Sequence, residues 1–247
     1  MVTSLEDLQG MTATGPRRGL LVEIVGPPGA GKSTLFQTLD KNVEWILGGY
    51  IPLQKDFSNV PFYAKNILSL VPILLRLLGE GDRNPNLKDI ICMALLNGWH
   101  EILRKKVDTT GKVIVVDQGA ISIMMWLSMW GPQGLHNSNF QGWWNKVYEH
   151  WIQNLDMIVY IDTSVDILIK RIRHRYEVNN KKVIYHVNGK SDQEASDFLV
   201  KCRSVYEQII SRFEQNNHRM QVVKIDSGEN NVDDIVRKVI SEIKIYK

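Results

Sequence analysis

The chain has 247 residues, 44% of them hydrophobic and 23% charged, with 30 basic against 27 acidic side chains and a formal charge of +3. That length can bury a full core without disulfide or metal staples, and so even a charge balance argues against a dedicated nucleic-acid binder. Two cysteines, Cys92 and Cys202, with no CxxC or Cys/His cluster, exclude a structural zinc ribbon and read as buried free thiols in a reducing compartment.

Residues 1–18 read as a flexible lead-in. They carry acids early and no apolar stretch, so a secretory signal is not expected and the cytoplasm is the expected location. Leu20 to Val25 (LLVEIV) is a short apolar run ending at a glycine-rich turn, which predicts a buried strand, and Ser33 onward (STLFQTLDK) predicts the helix after it. Gly48 to Leu53 is a candidate second strand. Residues 60–106 read as mostly helical, with Pro61, Pro72 and Pro85 as breaks. Ile67 to Leu78 is the most apolar run; Pro72 and Arg76 interrupt it, and it falls short of the ~20 residues a membrane span needs, so a buried helix and no membrane partner are expected.

Lys112 to Asp117 (KVIVVD) and Met157 to Asp162 (MIVYID) predict further strands, the first leading into the apolar stretch AISIMMWLSMW and the second into a helix through Arg175. Ser191 opens a helix with Glu194 three residues on, a capping-box spacing, and Leu199, Cys202, Tyr206, Ile209, Ile210 and Phe213 share one of its faces. Gln221 to Asp226 (QVVKID) is the last strand and Val232 to Ile243 the last helix. Continuous apolar strands alternating with helices predict one α/β domain over 19–247, with a parallel sheet covered on both sides.

The chemistry starts at Gly26-Pro-Pro-Gly-Ala-Gly31-Lys32-Ser33, which fits GxxxxGK[ST] without a mismatch and sits between a strand and a helix. Glycines let backbone N–H groups close on phosphate oxygens, and the helix start adds its own amides and dipole. The expected nucleotide ligands are Gly26, Gly29, Ala30, Gly31, Lys32, Ser33 and Thr34. Lys32 supplies charge to the β- and γ-phosphates, and Ser33 offers a hydroxyl to Mg²⁺; the triphosphate expected is ATP. Ligands gather at the carboxyl ends of such strands, so Asp117 should emerge beside the loop, to organise Mg²⁺ through water or to take the proton of an attacking hydroxyl. Asp162 and Asp226 also end strands and read as caps or turns. Arg171 and Arg175, four apart, share a helical face suited to a transferring phosphoryl group; the polar, basic segment of about 176–190 reads as a lid closing over ATP.

Together these segments resemble the thymidylate kinase-like branch of the P-loop nucleoside and nucleotide kinases. The matching text is GPPGAGKST, VIVVDQG, MIVYIDTSVDILIKRIRHR, FLVKCRSVYEQI and VVKIDSGENNVDDIVRKVISEI, covering residues 20–40 and roughly 112–245. The resemblance implies a three-layer fold with a five-stranded parallel sheet, helices on both faces and a lid after the fourth strand. It also implies adenine near Ser227 and Gly228, and phosphate contacts from Arg171 and Arg175. That family usually carries arginine directly after the strand-end aspartate, to hold an acceptor phosphate. Here the position is Gln118, which is neutral and points to a hydroxyl-bearing or similarly neutral acceptor with Asp117 as base. The alternative is a nucleoside monophosphate kinase drawing its arginine from Arg76 or Arg83.

Five tryptophans, Trp126, Trp130, Trp143, Trp144 and Trp151, crowd the stretch after Asp117; they read chiefly as core, with some rings free to wall an acceptor pocket. A nucleotide-binding switch or regulatory ATPase could use the same cradle. The chain has no N/TKxD guanine motif and no LSGGQ-like segment, so the expected function is a small-molecule kinase, with a small-molecule acceptor as its partner. A homodimer is compatible with the sequence.

Overall fold

A computed structural model describes residues 15–16, 18–49, 60–80, 83–179, 187, 189–217, 219–228 and 230–246. Most of the predicted lead-in (1–14 and 17), the far half of the predicted second strand and much of the predicted lid (180–186 and 188) lie outside the described residues.

Chain order is β1 (Leu21–Val25), α1 (Lys32–Asn42), β2 (Ile46–Gly48), α2 (Val60–Leu77), α3 (Leu87–Thr110), β3 (Val113–Asp117), α4 (Ala120–Trp130), α5 (Gln141–Asn154), β4 (Met157–Asp162), α6 (Val165–Asn179), α7 (Asp192–Asn216), β5 (Gln221–Asp226) and α8 (Val232–Ile245). The strands form one parallel sheet in the order β2-β3-β1-β4-β5. With β1 central, chain connections leave to opposite sides, so a crevice opens at the carboxyl ends of β1 and β3, where ligands collect in such sheets. The register Ile24↔Asp117 brings the turn after β3 level with the glycine-rich loop after β1.

Strand alternation divides the core into two layers. Leu21, Val25, Ile114, Val116 and Ile158 face a cluster built from α3, α4, α5 and the later part of α7. Val22, Ile24, Val113, Val115 and Val159 face α1, α6 and α8, with Leu199 from the start of α7. The Ser191–Glu194 capping box is present in both directions, and the predicted apolar face of α7 is buried from Leu199 to Phe213. Cys202 is a buried free thiol and Cys92 a half-buried one.

Two expectations need correction. Helix α2 runs through Pro72, which is exposed, and only Asn66, Leu70 and Leu77 of it are buried. Phe62, Tyr63, Ile67, Ile73 and Leu74 are half-buried against the core, whereas Leu68 at 73% and Leu75 at 64% exposure face outward, so the helix lies on the surface of the core and is not buried within it. By length and composition α2 is apolar enough to cross a membrane. Its inner side is fastened to α3, where Asn66 presses on Gly98, Asn97 donates to Ser69 Oγ at 3.2 Å and Lys65 pairs with Glu101 at 3.2 Å. Strand β2 ends at Gly48, where the sequence pattern started it, because its edge pairing with β3 matches Ile46 to Val113.

Candidate active site

The loop after β1 has the shape its glycines predict. Gly26 takes φ 146 against the neighbouring strand, where a Cβ would lie 1.9 Å from the Ile161 carbonyl, so no other residue fits. Gly31 caps α1 in the left-handed region with φ 98, and Leu35 N donates to its carbonyl at 3.1 Å. Lys32 curls over the loop, its Nζ donating to the Gly26 and Pro27 carbonyls at 2.8 and 2.9 Å. Burial pulls the Lys32 ammonium down to about 8, opposed by the negative charge of Asp117 and reinforced by Arg175.

Asp117 stands at the end of β3, one strand away. Ser33 Oγ donates to its Oδ2 at 2.8 Å, joining the two predicted metal ligands directly. Its Oδ1 is buried and has no hydrogen-bond partner. A buried carboxylate oxygen without a donor is a place for a cation, a metal-bound water or an incoming hydroxyl. The hard oxygens of Ser33 and Asp117 fit Mg²⁺. Among the described residues no cluster of three His, Cys, Asp or Glu could hold a metal, so such an ion would take its other ligands from phosphate and water.

Two cavities meet at the loop. The first, of about 440 Å³, is lined by Gly29, Ala30, Gly31, Thr34 and Leu35 on one side and by Arg171, His174, Arg175, Ser227 and Asn230 on the other. Arg171 donates to Ser227 Oγ at 3.0 Å and to the Ser227 carbonyl at 2.8 Å, tying α6 to the loop after β5. Gly228 sits against Thr163, whose Oγ1 a Cβ would approach to 2.2 Å, and its N–H donates to Asp226 Oδ1 at 2.7 Å. Ser227 thus walls this cavity with Arg171, while Gly228 closes the loop behind it. Arg175 lines both cavities. Arg173 turns away to pair with Asp192 at 2.5 Å.

The second cavity, of about 1120 Å³, begins at Gly26, Lys32 and Ser33 and runs out between α3, α4 and α7. Its walls are mainly apolar and aromatic: Leu87, Ile91, Leu95, Met125, Trp126, Trp130 and Phe198. Trp130 lies 6.0 Å from Phe198 and 6.2 Å from Trp126, and Lys88 Nζ sits 4.1 Å above the Trp126 ring. Trp143, Trp144 and Trp151 are core, their indole N–H groups donating to Asn97 Oδ1, the Leu135 carbonyl and the Leu96 carbonyl. The tryptophan run therefore splits between pocket and core. Arg83 borders the cavity with its guanidinium engaged by the fully buried Asp89 at 2.5 Å and by the Trp130 carbonyl at 2.5 Å; Arg76 is not among the lining residues.

Sequence reasoning missed Glu23. This acid lies in the middle of an otherwise apolar strand, is 1% exposed, and accepts from Ile121 N and Ser122 N at 3.1 Å each. Burial pushes its carboxyl up to about 7 against the pull of those two N–H groups. Its signal was visible as the one charge inside LLVEIV. The contributions of Phe198 and Tyr206 to the cavity had no such signal, because α7 reaches the site only through the tertiary fold.

The sheet order, the glycine cradle and the acid at the neighbouring strand end define a three-layer P-loop NTPase fold, the architecture implied by the resemblance to the thymidylate kinase-like branch. No family model and no curated protein matches the chain. Among solved structures it is similar to deoxyadenosine kinase from M. mycoides. With bound dATP that structure shows 14% identity, coverage of 90% of this chain and 98% of the other, and a TM-score of 0.48. With bound dCTP the identity is 14%, the coverage 91% and 98%, and the TM-score 0.47. The likeness is one of backbone course.

Proposed function

We propose that the chain is an ATP-dependent phosphotransferase that moves the γ-phosphoryl group to a hydroxyl of a small acceptor with a flat, apolar body, nucleosides being the first class to test. The observation that carries this reading is the meeting of two cavities at the P-loop, with Ser33 of the larger one bonded to Asp117, whose other carboxylate oxygen is buried and unpartnered. A switch or regulatory ATPase has no need of a second, larger, aromatic-walled cavity opening on the same loop.

In this mechanism the base and sugar of ATP lie between Leu35 and Ser227, and the loop amides from Gly29 to Thr34 hold the phosphates. Lys32 leaves the Gly26 and Pro27 carbonyls for the β- and γ-oxygens, and its charge is secured by the added anion. Mg²⁺, held by Ser33 and through Asp117, would supply charge neutralisation on those oxygens. Asp117 accepts the proton as the acceptor oxygen bonds to γ-phosphorus. The bond from γ-phosphorus to the β–γ bridging oxygen breaks, and ADP departs. Arg175, bordering both cavities, is placed to follow charge on the moving phosphoryl group. Neutral Gln118 and a committed Arg83 favour a hydroxyl over a phosphate as acceptor.

The test is incubation with radiolabelled ATP and Mg²⁺ against nucleosides, nucleoside monophosphates and other small alcohols. Label on a nucleoside or alcohol supports the reading. Label on monophosphates alone makes the chain a nucleotide kinase, and free phosphate alone makes it an ATPase.

A further inference from the structure

We propose that Glu23 is a positioning residue for phosphoryl transfer: its buried carboxylate clamps the start of α4 and thereby fixes the turn that carries Asp117 and Gln118. The inference rests on the kinase reading above and assigns a residue outside the nucleotide cradle to it.

Helix α4 begins at Gly119, which has no side chain to cap the helix. Two of its first amides, Ile121 N and Ser122 N, are instead received by Glu23 Oε2 and Oε1, one strand away in β1. A carboxylate facing free helix-start amides is a favourable pairing of charge with dipole. The fit is close: a Cβ on Gly119 would stand 2.6 Å from Glu23 Cδ and 2.7 Å from Oε2, so the turn rests directly on the carboxylate. Just before it, Gln118 holds φ 68, the one non-glycine in the left-handed region among the described residues. Such a backbone persists when its surroundings over-determine it. Here one side is the β1–β3 ladder up to Ile24↔Asp117, and the other is the Glu23 clamp. Ser122, gripped through its N–H, is 8% exposed and lines the acceptor cavity. One carboxylate thus sets both the approach of the base and a polar point on the acceptor wall.

Glu23→Gln retains the shape but offers one acceptor oxygen where two amides point. In the full chain, amide hydrogen exchange at Ile121 and Ser122 should quicken in Glu23→Gln and stay unchanged in Asp117→Asn. ADP formation from MgATP is then followed with water alone and with a panel of adenosine, cytidine, thymidine and their deoxy forms. Glu23→Gln should lower kcat about 10- to 100-fold with the MgATP Kd within about threefold of wild type, the scale of a misplaced catalytic group. Combined with Asp117→Asn it should add almost no further loss, since it acts through Asp117. Unchanged exchange in Glu23→Gln, or losses that multiply in the double variant, overturns the positioning role while leaving the kinase intact. If the wild-type chain forms no more ADP with any acceptor than with water alone, the kinase reading itself fails and takes this role with it.

Discussion

Replacing Asp117 by asparagine removes one charge and a proton acceptor while keeping the shape. In the native chain Oδ2 takes the Ser33 hydroxyl hydrogen at 2.8 Å and Oδ1 is buried without a partner. In Asp117→Asn the amide oxygen can still serve Ser33, which leaves an NH₂ where Oδ1 stood. That group donates and cannot accept a proton. The base contribution therefore vanishes, a loss of about 10²–10⁴ in kcat, or ~3–5 kcal/mol in the barrier. The P-loop glycines and α1 are untouched, so calorimetry at pH 7 should give an MgATP Kd within a few-fold of wild type. Residual turnover should climb with pH as hydroxide replaces the missing base. Charge on Lys32 is held up partly by Asp117, so MgATP affinity in the variant should weaken earlier on the alkaline side. A kcat within about threefold of wild type would falsify the assignment of Asp117 as base.

Lys32→Ala should reduce turnover by on the order of 10³ and weaken MgATP binding, measured by ADP release and calorimetry; full activity would refute its role. Trp130→Ala should raise the acceptor KM about tenfold and leave the ATP KM unchanged, because that ring walls the second cavity and not the first. An altered ATP KM alone would reverse the assignment of the two cavities. Arg83→Met leaves Asp89 buried without its cation and should cost about 3–5 kcal/mol in urea unfolding; a loss below 1 kcal/mol would show that Asp89 finds another partner. His100 is 7% exposed with its Nδ1 unpartnered, and burial, helped by His150, draws its pKa from 6.5 down to about 4. The unfolded chain therefore binds the extra proton first, and this stability is present above pH 6.5 and lost as pH falls toward 4. Allowing for partial solvation beside exposed His150, about 2 kcal/mol should disappear over that window in wild type and not in His100→Leu. Equal pH slopes for the two proteins would refute this.

The sheet was readable because β1, β3 and β4 are buried on both faces and so appear as near-continuous apolar runs, β1 interrupted by Glu23 and the other two closed by Asp117 and Asp162. The cradle was readable because its chemistry is local. Edge strand β2 was displaced because the text around Gly48 and Gly49 offers apolar residues on either side, and only pairing with Val113 selects Ile46. Apolar composition made α2 look internal. Burial depends on what packs against it, and only one side meets α3. Proline at position 72 looked like a break, yet the buried anchors Leu70 and Leu77 flank it and the helix continues. The shared face of Arg171 and Arg175 followed from spacing, whereas the partner of Arg171, Ser227, lies 56 residues away and depends on the fold. Arg83, Phe198 and Tyr206 reach the large cavity in the same non-local way.

The central place of β1 has a consequence for how the chain is born. Its neighbours in the sheet come from roughly 90 and 135 residues further along, so a nascent chain has nothing to set beside Leu21–Val25 until β3 and then β4 leave the ribosome. At about 5–20 residues per second that is a wait of several seconds or more with a sticky segment uncovered, a window in which chaperones would be engaged. A chain halted before Met157 would carry every residue of the glycine loop and lack the Ile161 carbonyl against which Gly26 is seated. Competence to grip a nucleotide is therefore acquired late in synthesis, although its signature is written near the start.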